Sequence, residues 1–320
     1  MEKQVNAKPG TKQKKRIKMN MLIDNFQLAT LTLPTIILLG IFAYWPMFGI
    51  ILAFKDFKVP KGIIGSPWVD PIYKNFQFFF ESQDAWRVTR NTLGLNLLFI
   101  VISTVAGVIF ALIMFEVKKA KYVKIYQTAS IIPSFLSWVV VGYMVYSLLA
   151  PQGGLLNKII IGLGGEGIQW YTQPQYWPLI LLISNVWHGV GIGSIIYYAA
   201  LMGVDTELFE AAQMDGANKL RRVFHVSLPQ LVPIITIMTL LAIGGIFRAD
   251  FGLFYNVTRN QGALYSTTDV IDTYVYRALM NQGNIGMSSA VGLFQSLVCF
   301  VVLLTSNFIV TKVEPENALF

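Results

Sequence analysis

The feature that most constrains this chain is a set of six apolar stretches, at approximately 27–54, 91–115, 126–149, 177–201, 231–255 and 286–311. A helix needs about 20 mainly apolar residues to cross the hydrocarbon layer of a bilayer, and each stretch is that long. Lipid offers the backbone no hydrogen-bond partners, so only helices and closed barrels span it. Barrel strands are short and alternate apolar with polar residues; these runs are long and continuous. The expected fold class is therefore all-α, a polytopic membrane protein with six transmembrane helices. Composition agrees, with 54% hydrophobic and 13% charged residues, where soluble domains carry about 25% charged. The first stretch exceeds the roughly 7–15 apolar residues of a cleavable signal and has no small-residue cleavage site after it. The one cysteine, Cys299, lies in the last stretch, which rules out an intrachain disulfide and suits packing better than chemistry.

Six crossings put both ends on one side. Lys3, Lys8, Lys12, Lys14, Lys15, Arg16 and Lys18 precede the first stretch, and Lys118, Lys119, Lys121 and Lys124 follow the second. Lys219, Arg221 and Arg222 follow the fourth and Lys312 the sixth, so 15 of 25 basic residues fall on the terminal side. Lysine and arginine favour the cytoplasmic face, so both termini are expected inside a plasma membrane. The pI near 9.4 then reflects orientation in lipid and calls for no nucleic-acid partner. Residues 1–24 read as a basic cytoplasmic tail, 25–315 as the membrane domain and 316–320 as a cytoplasmic end.

The loop between the fourth and fifth stretches, 202–229, carries the densest local signal. Asp205 or Thr206 can cap a short helix, Glu207 and Glu210 suit its first turns, and Gly216 stops it. A second amphipathic stretch runs from Lys219 to Val226, and Leu228-Pro229 is expected to end it by steric exclusion.

The spacing Glu210-Ala211-Ala212, then Asp215-Gly216, then Leu228-Pro229 resembles the EAA signature of permease subunits in bacterial ABC importers. That resemblance implies a type I ABC importer permease fold whose loop forms a coupling helix seated on a cytoplasmic ATPase. Glu210 and Asp215 would offer acceptors there, Ala211 and Ala212 would allow close packing, and Gly216 would make the turn. The sequence has no G-x-x-x-x-G-K-[ST] phosphate loop. ATP and Mg would accordingly be bound by a separate ATPase dimer, leaving this chain with no cofactor, no metal and no catalytic residue of its own. A single loop implies a second, homologous permease, and an extracellular solute-binding protein, expected to be a lipoprotein, would deliver the cargo.

Within that family the chain is similar to sugar permeases of the maltose type, through its six stretches, the loop position and Ile132-Pro133-Ser134-Phe135. The basic tail and the Asn25-Phe26 opening through Pro34 resemble the Lpl/Yte type, which moves oligosaccharides from complex plant polysaccharides, some bearing uronates. The maltose permease's extra N-terminal spans and large outer domain have no counterpart here.

A sugar path through apolar spans needs hydrogen-bonding groups, which are costly there unless used. The resemblance places substrate contacts at Asn185, 25 residues before Glu210, and at Gly189 a turn later. It adds Ser130 and Ser134 from the third stretch, and Gly245, Ile246, Arg248 and Asp250 from the fifth; His188 joins them as a polar residue of the fourth. Each has a second reading. The serines can bond their own helix, His188 can bond a neighbouring helix, and Arg248 can pair with Asp250. Arg248 near the path would suit acidic sugars. Trp138 and Tyr143 fit an interfacial belt first and a stacking platform second.

Three rival functions are weaker. A secondary transporter needs coupling carboxylates inside its spans, and only Asp250, near an end, approaches that. An intramembrane enzyme lacks H-E-x-x-H, G-x-S-x-G or a base beside Cys299. An ABC permease for a non-sugar solute shares the loop and differs only in cargo.

Overall fold

The computed structural model describes residues 29–117 and 119–319; the basic tail and the Asn25-Phe26 opening lie outside the described residues. Counting helices of seven residues or more, α1 (Ala29–Phe54) is a span that passes through a π turn at Gly40–Tyr44 and tightens to 3-10 geometry over Phe48–Phe54. Next come α2 (Lys74–Phe80), α3 (Gln83–Phe115), α4 (Ala120–Phe135), α5 (Trp138–Leu149) and α6 (Leu155–Gly162). They are followed by α7 (Pro174–Met202), α8 (Thr206–Met214), α9 (Lys219–Gly244), α10 (Ile271–Gln282) and α11 (Ile285–Val313). No strand occurs among the described residues.

Helices α1, α3, α7, α9 and α11 are each long and apolar enough to cross a bilayer. The stretch expected as a span at 126–149 is the pair α4 and α5, bent by 96° at a short break, the form of a broken span or a re-entrant loop. Pro133 draws the chain into a 3-10 turn over Ile132–Phe135. Ser137 then opens a fresh helix by accepting the Val140 N–H at 3.4 Å.

Two further boundaries differ from the sequence reading. The fifth span, expected at 231–255, stops at Gly244; the chain then turns through Gly245–Asp250 and winds into a π segment at Leu253–Val257. And Leu228-Pro229 does not end the stretch begun at Lys219, because α9 runs on from Lys219 to Gly244. A π turn at Val223–Ser227 precedes it, in which the Leu228 N–H bonds back to the Val223 carbonyl. The wider turn accommodates the proline ring, as π turns do at such interruptions.

Packing centres on α3 against α7, with α9 alongside and α11 against α9. Val108, Ala111, Tyr197, Leu201 and Leu231 form a core near the Glu210 loop. Leu95, Phe99, Val141, Trp177, Leu181 and Phe254 form another towards the opposite end. Gly191 of α7 sets one approach: a Cβ there would meet the Ser130 carbonyl oxygen at 2.0 Å. By contrast α1 packs mainly through its final turns against α11. Only 6% of its most apolar stretch is buried within the chain, against 28% for α3.

Candidate functional site

Two regions at different depths carry the residues singled out from sequence. The first is the α8–α9 loop. Asp205 caps α8 by accepting the Glu207 N–H at 3.0 Å. Gly216, at φ +77°, closes the helix with Ala217 N–H bonding to the Ala212 carbonyl at 2.9 Å. This is the left-handed stop that glycine adopts without a Cβ penalty. Asn218 then starts α9 by accepting the Arg221 N–H at 2.9 Å.

The loop is fixed to the bundle along one side. Phe209 packs on Phe115 at the end of α3, with ring centroids 5.3 Å apart. Glu116, just beyond α3, faces Arg222 at 3.7 Å and Lys219 at 3.9 Å. Its other side is bare. Leu208, Met214, Leu220 and Phe224 are exposed, as are Glu210, Ala211 and Asp215, while Ala212 is half-buried. Among the described residues, no side-chain hydrogen bond or ion pair occupies the Glu210 or Asp215 carboxylate. Leu228 and Pro229 lie within α9, directly after its π turn at Val223–Ser227.

The second region is a groove between α3, α7 and α9. It holds a cavity of about 370 Å³ lined by Phe99, Ser103, Trp138, Asn185, His188, Gly189, Met238 and Asp250. A smaller cavity of about 180 Å³ shares Phe99, Ile100, Asn185, Ala242 and Asp250 with it and adds Asn96, Gly245, Ile246 and Arg248. Seven residues expected on the path therefore meet here: Asn185, His188, Gly189, Gly245, Ile246, Arg248 and Asp250.

Helix breaks explain the arrangement. Where α4 gives way to α5, the Leu136 carbonyl loses its helical partner and meets His188 Nε2 at 3.0 Å. A carbonyl only accepts, so Nε2 carries the proton, and in the neutral ring Nδ1 is left as an acceptor. Trp138 stacks on the same imidazole at 4.1 Å and donates Nε1–H to Asp250 Oδ2 at 2.7 Å. Asp250 Oδ1 accepts the Leu253 N–H at 3.2 Å and so caps the π segment. Asn185 donates to Ser103 Oγ at 3.1 Å; its amide oxygen remains available to a hydroxyl.

Some expectations do not hold. Ser130 Oγ bonds Gln127 O at 3.0 Å and Ser134 Oγ bonds Ile131 O at 2.8 Å. Both serines close on their own helix, and neither lines the groove. Arg248 and Asp250 do not pair: Arg248 donates to Ser296 Oγ at 2.8 Å, while Asp250 serves Trp138.

Asn96 and Ser103 were missed. Asn96 Nδ2 donates to the Ile246 carbonyl at 2.8 Å and the Arg248 carbonyl at 2.9 Å, bracing the turn after α9. Asn96, Phe99 and Ser103 fall at i, i+3 and i+7 of α3, a one-face spacing that the sequence does carry. The same turn is held from α10, where Asp272 accepts the Ala249 N–H at 2.8 Å. Burial pushes the Asp272 carboxyl above its usual range, and the bonds from Ala249 and Gln295 oppose that shift.

Residues 98–315 match the family described as binding-protein-dependent transport system inner membrane component. The chain belongs to that family. This inner membrane component is 36% identical over 287 residues to protein LplB of Bacillus subtilis (strain 168), covering 90% of this chain and 89% of the other. It is 34% identical over 316 residues to the polygalacturonan/rhamnogalacturonan transport system permease protein YteP of the same organism, covering 98% and 96%. Its fold superposes on a chain of a bacterial ABC transporter involved in import of the acidic polysaccharide alginate, with TM-score 0.82 and 31% identity over 93% of this chain and 99% of that one. A chain of the alginate transporter in complex with alginate pentasaccharide-bound periplasmic protein gives TM-score 0.80, also at 31% identity, over 92% of this chain and 97% of that one. The fold is thus that of a type I ABC importer permease, a multi-pass transport component.

Proposed function

We propose that this permease is half of the pathway of an ATP-driven importer for oligosaccharides that include uronate-bearing ones. The observation that carries the cargo is the groove. Amide, imidazole and indole groups are gathered between spans whose other faces are apolar, a chemistry suited to sugar hydroxyls and ring faces. The names of the relatives, which refer to polygalacturonan and to alginate, agree with it. Asn185 and His188 supply acceptors, Gly189 gives a ring room to approach, and Trp138 offers the ring face that His188 does not cover. Gly245, Ile246 and Asp250 shape the far wall. Arg248, held on Ser296, presents a guanidinium for a carboxylate.

The bare face of the Glu210–Pro229 loop is read as the seat of a separate ATPase dimer, which binds the ATP and Mg. The unburied length of α1 is read as a surface for a second, homologous permease. The excess of lysine and arginine supports a reading with the loop and both termini in the cytoplasm and a solute-binding lipoprotein at the other face. Closing of the ATPases would be carried through the loop to the spans, alternating access to the groove.

The test is reconstitution into proteoliposomes with a second permease, an ATPase and a solute-binding protein from the same source. Uptake of trigalacturonate is expected to require ATP and to fall about tenfold in Asn185→Ala, which removes one polar contact of about 1.4 kcal/mol. Arg248→Gln should lower uptake of trigalacturonate more than of maltotriose. Uptake without ATP, or no ATPase bound to the complex, defeats the importer reading; equal losses for both sugars defeat the role of Arg248.

A further inference from the structure

We infer that a second, outer carbohydrate subsite, built around Arg259, receives a uronate carboxylate on its way to the groove. The inference rests on the function proposed above. The subsite is a separate cavity of about 230 Å³ lined by Val139, Gly142, Tyr143, Tyr255, Asn256 and Arg259, with Asn260 at its edge. It shares no lining residue with the groove. Its volume lies below the ~300–1,000 Å³ of sites for whole drug-sized ligands, so it fits a single ring.

The backbone here is held in a costly form. Arg259 and Asn260 are the two non-glycine residues with left-handed φ, at +56° and +49°, among the described residues. Such positions cost about 1–3 kcal/mol each and persist only where the surroundings over-determine them. Here they do. Asn260 Oδ1 accepts from Tyr265 Oη at 3.0 Å and from Arg277 Nη1 at 3.2 Å. Arg277 is itself paired at 2.7 Å with Asp269, whose side chain is fully buried. Asp269 also meets Arg87 at 3.0 Å. The ion-pair cluster behind the turn thus fixes the residue in front of it.

What it fixes is a guanidinium with no anion. Arg259 is exposed, lies over the Tyr146 ring at 4.1 Å, and has no ion pair among the described residues. Stacking leaves the edge of the fork open to two oxygens, the geometry a carboxylate matches. Tyr143 is 67% exposed beside it. The Asn256 amide donates to Gly252 O at 2.9 Å, which leaves its oxygen for a hydroxyl. Arginine, tyrosine faces and an amide together suit an acidic sugar ring better than a lipid phosphate, which has no ring to stack.

Placement supplies the second argument. Helix α5 begins at Trp138 in the groove, and Val139, Tyr143 and Tyr146 follow at i, i+4 and i+7 on one face. The π segment that follows Asp250 forms the other wall. Gly142 lets these elements touch, since a Cβ there would meet the Asn256 carbonyl oxygen at 2.6 Å. One helix and one turn therefore connect both cavities, and an oligosaccharide leaving a binding protein would pass Arg259 before Trp138.

The test uses the reconstituted importer in phosphatidylcholine, with trigalacturonate and its fully methyl-esterified form, which carries no charge. Arg259→Gln is expected to raise KM for trigalacturonate about tenfold, the loss of one charge-assisted pair, with the ester little affected. Arg259→Lys, keeping the charge without the fork, should recover part of the difference. An unchanged KM for trigalacturonate in Arg259→Gln, or equal losses for acid and ester, overturns the subsite while leaving the importer reading intact. A difference that emerges only when phosphatidylglycerol is added assigns Arg259 to a lipid headgroup and overturns it too. A parent importer that moves neither sugar defeats the proposed function, and the subsite falls with it.

Discussion

Gly189 and Gly191 stand two residues apart on α7 and serve opposite ends. A Cβ on Gly189 meets nothing within 4 Å, so the groove is open there; on Gly191 it would collide with the Ser130 backbone at 2.0 and 2.3 Å. Backbone cannot move aside as a flexible side chain can. Gly191→Ala is therefore expected to destabilise the protein by about 3 kcal/mol, more than the ~1 kcal/mol of helix propensity that alanine returns. Gly189→Leu should leave the thermal midpoint nearly unchanged but cut sugar uptake at least about tenfold by filling the groove. Thermal unfolding in detergent, run beside uptake, separates them; a stable Gly191→Ala removes the close-packing argument. The sequence made Gly189 a candidate through its place after Asn185. It offered no sign that Gly191 was the tighter residue, because that depends on α4 lying across α7.

Among elements, the α8–α9 loop was legible and the bend between α4 and α5 was not. Capping chemistry is local: Asp205 and Gly216 bound α8 through bonds to residues two to five positions away. Gly216 at φ +77° cannot be replaced by proline, whose ring holds φ near −65°. Gly216→Pro is expected to leave the spans inserted and to abolish both co-purification with an ATPase and binding-protein-stimulated ATP hydrolysis. Retained stimulation would mean that the turn is not needed for coupling. The 96° bend is a different matter. Pro133 and Ser137 mark where the helix can break, but a proline in a span often only kinks it. Here the break persists because His188 of α7 and Asp250 of the turn after α9 bond the Leu136 carbonyl and the Trp138 indole beside it.

For the whole molecule, the orientation rests on the unequal charge of the two faces and can be checked directly. Cys299 is buried and is the one cysteine of the chain, so Cys299→Ser provides a clean background. A cysteine placed at Met214, in the exposed loop, should be shielded from a membrane-impermeant maleimide in intact cells; one at Gly164, after α6, should react. The opposite pattern would invert the topology. Apolar length and positive charge are sums over a single chain, which is why the all-α membrane class and the expected sidedness could be read without coordinates; the Glu210–Pro229 loop stood out through its resemblance to a family signature carried by contiguous residues. The ends of the fifth span, the inward closure of Ser130 and Ser134, the separation of Arg248 from Asp250 and the framing of Arg259 could not. Each depends on which carbonyls and carboxylates other helices bring within about 3 Å of a side chain, and sequence distance does not encode that proximity. Tertiary structure decided it, by fixing where helices break and what stands opposite each break.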